Sequence, residues 1–89
     1  MNAFKYTLYV TGGTVDSVEP IIVRYGLNAT LIPVHGVYEG KLEYGTKIEM
    51  VEFNASNADN IAAMVVEFKE VFKQDSVLIT ATKLDAKLF

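Results

Sequence analysis

Apolar residues recur in this chain with two different spacings, and the order in which those spacings alternate leaves few folds open. Phe4-Lys5-Tyr6-Thr7-Leu8-Tyr9-Val10 is dense in aromatic and β-branched side chains and reads as a strand. Gly12-Gly13 ends it in a turn. Asp16, three residues before Glu19, is a capping-box-like start for a short helix with Pro20 in its first turn. Val18, Ile21, Ile22 and Tyr25 follow at helical spacing, and Gly26 supplies a left-handed stop. Ala29 to Val34 returns to strand composition, with Pro33 marking an edge or a bulge. Residues 35–46 carry three glycines and read as a long connection between strands; Lys47 to Phe53 then alternates as a third strand. Ser56, three residues before Asp59, caps a second helix with Ile61, Met64, Val65, Phe68 and Phe72 on one face. Lys69 and Lys73 sit near its C-terminus, where cations oppose the helix dipole favourably. Ser76 to Thr82 is a fourth strand, and 83–89 is a tail able to pair at an edge.

The order is β-α-β-β-α-β. Right-handed crossovers put both helices on one face of a four-stranded antiparallel sheet, a ferredoxin-like α+β sandwich. Residues 1–89 make one such domain, because a second would leave each half too short for its own core. The helices cover one sheet face, yet the strands carry apolar residues in both alternating sets: Phe4, Tyr6 and Leu8 against Tyr9, Ile48 and Met50 against Val51 and Phe53. A free face of that kind is expected to pack against copies of the chain, and fold-level analogy points to a closed trimer.

Composition removes several function classes. Eight Lys and Arg against eleven Asp and Glu give a net charge of −3, and the bases are scattered singly, so a nucleic-acid binder is not expected. With no cysteine there is no disulfide framework, thiolate nucleophile or Cys-ligated metal, and His35 alone cannot make a multi-histidine site. No apolar run reaches membrane-spanning length, and the first ten residues read as a strand rather than a signal peptide, so a soluble cytoplasmic domain is expected.

The connection at 35–46 is the first place to look for chemistry, since unusually long loops tend to be functional. His35 reads as a strand-end histidine, because no Ser or Cys nucleophile lies near it in sequence. Tyr38 is either a half-buried loop aromatic or a phenolic hydrogen-bond donor. Glu39 and Glu43 suit a solvated face with Lys41 and Lys47. Glu49 lies inside a strand, on the parity of Val51 and Phe53, and either points to a solvated edge or is held for a cationic ligand group. Gly12-Gly13 lacks the frame of a phosphate-binding loop and reads as a turn. Tyr6, Tyr9 and Tyr25 are packing residues.

Gly36-Val37-Tyr38, then Glu49 eleven residues after the tyrosine, then the second amphipathic helix, then Gln74-Asp75-Ser76-Val77-Leu78 leading into the last strand, resembles the phage-encoded S-adenosylmethionine (SAM) lyases, formerly called SAM hydrolases. The resemblance covers about the C-terminal three fifths. It implies a fold similar to the PII signalling proteins, a homotrimer with ligand sites between subunits, and cleavage of SAM to methylthioadenosine and homoserine lactone. It implies an anti-restriction role, and a reaction that needs no cofactor or metal. Tyr38 and Glu49 match the family's active-site tyrosine and glutamate, as catalytic and substrate-binding residues; Asp85 is the nearest match to an acidic residue near the C-terminus, one carbon shorter. Two other classes stay open: a non-catalytic PII-like binder of an adenine-containing ligand, and an interaction protein whose loop docks a host enzyme.

Overall fold

The computed structural model describes residues 2–53 and 57–87. Six elements follow in the expected order: β1 (Asn2–Thr11), α1 (Val15–Arg24), β2 (Thr30–Tyr38), β3 (Lys41–Glu52), α2 (Ala58–Val71) and β4 (Ile79–Asp85). The sheet order is β2-β3-β1-β4 with every neighbouring pair antiparallel, so the ferredoxin-like α+β architecture is as expected. Both helices bury their apolar residues against one sheet face. Leu8 and Val10 of β1 and Ile48 and Met50 of β3 form a single cluster with Val18, Ile21 and Ile22 of α1 and Ile61, Met64 and Phe68 of α2. Truncating the fully buried Phe68 to Ala would cost about 3–5 kcal/mol. Pro33 lies on β2, an edge strand, as its missing N–H requires.

The largest departure from expectation is at 35–46. It is not a loop but the distal half of a β-hairpin, whose turn is Glu39-Gly40 alone. His35 pairs with Tyr44, Gly36 with Glu43, Val37 with Leu42 and Tyr38 with Lys41. Both turn residues have positive φ, 51° at Glu39 and 76° at Gly40, the backbone twist that lets a two-residue connection join twisted strands. Gly45 serves a different need: a Cβ there would stand 2.5 Å from the Val10 carbonyl oxygen, so its lack of a side chain lets β3 approach β1.

Helix ends also differ from the sequence reading. Thr14, not Asp16, caps α1: its Oγ1 accepts from the Ser17 N–H at 3.1 Å, and Ser17 Oγ accepts from the Thr14 N–H at 2.8 Å. This earlier start puts Pro20 in the second turn, where it leaves the Asp16 carbonyl without its helical donor. The stop is as expected, with Gly26 at φ 67° and the Leu27 N–H reaching the Ile22 carbonyl at 3.3 Å. For α2, the expected Ser56 cap lies outside the described residues; the N-cap position is Asn57, whose side chain donates to Glu52 Oε2 at 2.8 Å instead of capping the helix. Its C-terminal turn repeats the left-handed stop with Lys73 at φ 53° and the Gln74 N–H on the Lys69 carbonyl at 2.9 Å. That turn delays β4 until Ile79, and the first residues of the expected tail complete the strand, with Leu84 opposite Ala3 and Asp85 opposite Asn2.

Candidate functional site

Strand alternation sends Lys5, Thr7, Tyr9 and Thr11 of β1 away from the helices, together with their β3 partners Val51, Glu49, Lys47 and Gly45. This open face is mixed rather than apolar. Tyr9, Ile32 and Val51 are exposed on it beside Lys5, Lys47 and Glu49. Two clefts mark its opposite ends.

The first, of about 400 Å³, is lined by Tyr9, Thr11, Tyr38, Glu43 and the Gln74-Asp75-Ser76 segment with Leu78. It brings together two pieces that are far apart in sequence. The hairpin supplies Tyr38 just before its turn, and the left-handed stop of α2 turns residues 74–78 alongside the end of β1 before pairing begins at Ile79. Tyr38 is 66% exposed, so its ring and phenol are presented to whatever enters.

The second cleft, of about 550 Å³, is lined by Lys5, Asn28, Ala29, Thr30, Glu49, Val51 and Leu84. Lys47 Nζ lies 3.0 Å and Lys5 Nζ 3.5 Å from the same oxygen, Oε1 of Glu49. The hydrogen bond from Lys47 holds the Glu49 carboxyl below its ordinary range, with desolvation opposing and the charges of both lysines assisting. The same hydrogen bond raises Lys47. Of the two readings of Glu49, a solvated edge or a carboxylate held for a cation, the structure adds a third element: the carboxylate already carries two ammonium groups. Lys47 thus belongs with Glu49, two residues along the same strand face, and not with Glu39 and Glu43.

Tyr38 and Glu49 are not brought together within one chain. Tyr38 stands opposite Lys41, and Lys41 and Glu49 are 49 − 41 = 8 residues apart on β3, a separation of about 26 Å at strand rise. His35 is an exposed residue within β2, its ring edge-to-face on Tyr44 at 4.6 Å, beside a third cleft of about 420 Å³ where Gly12-Gly13 form the turn before α1. Tyr25 is a packing residue with a polar tip: its hydroxyl donates to Glu67 Oε1 at 3.0 Å, and Arg24 pairs with Glu67, tying the two helices. Among the described residues no group of three or more His, Asp or Glu could hold a metal ion, and no helix is long and apolar enough to cross a membrane.

Lys5, Asn28 and Thr11 were not singled out by the sequence. Lys47 could have been found from its i, i+2 spacing to Glu49; Lys5 depends on the β1–β3 register, which no local signal fixes.

No family model matches the chain, and no curated protein does. Solved structures do match over nearly the whole length. A phage SAM lyase in complex with S-methyl-5'-thioadenosine is 20% identical, with 98% of this chain and 92% of that chain covered and a TM-score of 0.65. A phage SAM lyase in the apo state is 20% identical, with 99% of this chain and 93% of that chain covered and a TM-score of 0.62. A nitrogen regulatory PII-like protein from Thiomonas intermedia K12, bound to ADP, AMP and bicarbonate, is 11% identical, with 98% and 97% coverage and a TM-score of 0.65. Likenesses at these identities are likenesses of fold: the chain has the PII-like, ferredoxin-like architecture shared by the phage SAM lyase and the PII-like proteins.

Proposed function

We propose that this chain is a SAM lyase that releases methylthioadenosine and L-homoserine lactone, and that it works as a homotrimer in the cytoplasm of a phage host, removing the methyl donor of restriction–modification methylation. The observation that carries the reading is the cleft in which Tyr38 meets Gln74-Asp75-Ser76, on a fold shared with a phage SAM lyase that binds methylthioadenosine. SAM brings its own nucleophile and leaving group. A carboxylate oxygen attacks the γ-carbon, a C–O bond forms as the Cγ–S bond breaks, and the electron pair passes to sulfur, leaving a neutral thioether and a lactone that keeps its ammonium. Both reacting charges vanish in this step, so a site that bends the methionyl chain and excludes water accelerates it without a base. Glu49 binds the α-ammonium and Tyr38 fixes the substrate by a hydrogen bond. With about 26 Å between them on one chain, a shared substrate draws Tyr38 from one subunit and Glu49 from its neighbour.

Incubating the purified protein with SAM in heavy-oxygen water and following products by mass spectrometry tests this directly. Early unlabelled lactone beside methylthioadenosine is the expected result, and immediately labelled homoserine would mean hydrolysis instead. A second reading draws on the equal TM-score of the ADP- and AMP-bound PII-like protein: a binder of an adenine-containing ligand. It predicts ligand-dependent stabilisation with no product.

A further inference from the structure

Glu49 is not a bare carboxylate waiting for a cation. Lys47 and Lys5 both stand on its Oε1, at 3.0 and 3.5 Å, and two ammonium groups on one carboxylate give the trio a net charge of 2 − 1 = +1. A ligand offering only a positive group would have to displace a resident cation and would add its charge to a site already positive. A ligand carrying an ammonium and a carboxylate on the same carbon meets no such conflict. Its ammonium takes a place on Glu49, and the two lysines turn from Glu49 to the ligand's carboxylate, so every charge keeps a partner.

We infer that Lys5, Glu49 and Lys47 together recognise the zwitterionic α-amino-acid end of the ligand, with the two lysines holding its carboxylate. This rests on the lyase reading and extends it to the residues that read the amino-acid end. The surroundings suit the assignment. Asn28 and Thr30 line one part of the Glu49 cleft with polar side chains, and Val51 and Leu84 offer apolar surface for the methylene chain. The lysine side chains are 39% and 29% exposed, open enough to turn from Glu49 to an incoming carboxylate. Two ammonium groups on one carboxylate oxygen, as they now stand on Glu49 Oε1, also fix the direction of the ligand's carboxylate while its other oxygen keeps its lone pairs for attack on the γ-carbon.

Calorimetric titration of the intact protein with two uncleavable probes tests this. S-adenosylhomocysteine keeps the zwitterion, and methylthioadenosine lacks it. Wild type should prefer S-adenosylhomocysteine. Lys47→Gln and Lys5→Gln should each weaken that probe on the order of tenfold, the size of one charge-assisted hydrogen bond, while methylthioadenosine binds as before and Lys47→Arg recovers part of the loss. Equal weakening of both probes would mean that the lysines only support the fold, and unchanged binding of both would mean that they do not touch the ligand; either overturns the inference. A wild type that binds both probes equally also overturns it but leaves the adenosine site standing. A wild type that binds neither and forms no methylthioadenosine from SAM removes the lyase reading as well.

Discussion

Glu49 shows how much a single side chain's surroundings determine. Hydrogen bonding from Lys47, with the charges of Lys47 and Lys5, holds its carboxyl below the ordinary range in the folded chain. A carboxyl lowered in this way contributes stability that is present above its unfolded pKa and lost as pH falls through the folded value. Wild type and Glu49→Gln should therefore differ in melting temperature by a constant gap near neutral pH, and the gap should close as pH drops below about 4. Melting curves taken across that range would check it; a gap that widens in acid would contradict the lysine pairing. The parity of Glu49 in its strand was legible from Val51 and Phe53, but with apolar residues on both parities it took the burial of Ile48 and Met50 to show that this parity faces away from the helices. Its partner Lys5 was not legible, because the register that sets it near Glu49 is decided by the whole β1–β3 ladder.

At the scale of elements, the β2–β3 hairpin is what the site depends on, and Gly45 is its narrowest point. A methyl group there would meet backbone, the Val10 carbonyl oxygen, and not a side chain able to turn aside. Gly45→Ala should destabilise the domain by about 1–3 kcal/mol, a fall of roughly 4–8 °C in Tm for each kcal/mol in a domain of this size; thermal denaturation measures it. The order of strands and helices could be read from the sequence because apolar spacing reports which face is buried, and Ile61, Met64 and Phe68 do so without ambiguity. The hairpin could not. Gly36, Gly40 and Gly45 look alike in a sequence, yet one faces open space, one takes a positive φ in the turn and one admits a neighbouring strand. Glu39-Gly40 also lacks the Asn or Asp that usually announces a two-residue turn. Thr14 and Ser17 were missed for a related reason: two hydroxyls can close the capping box that a Glu or Gln normally completes.

For the whole molecule, the separation of Tyr38 and Glu49 along β3 converts an oligomer question into an activity measurement. If each site takes its tyrosine from one subunit and its glutamate from another, Tyr38→Phe and Glu49→Gln proteins should each be inactive alone. Unfolded together and refolded as mixed trimers, they should recover about one quarter of wild-type activity, since random mixing unites an intact tyrosine with an intact glutamate at that fraction of interfaces. Recovery of none would overturn the shared site, since the two residues are too far apart on one chain to serve a common substrate there. How copies can meet is also constrained by Pro33 on the outer strand β2. A strand rim is a template for unlimited growth, because each chain added offers the next an identical row of donors and acceptors. Proline interrupts that row, so fibre-like addition along this rim is discouraged, and any pairing of copies is left to other surfaces, such as the broad face beside Glu49.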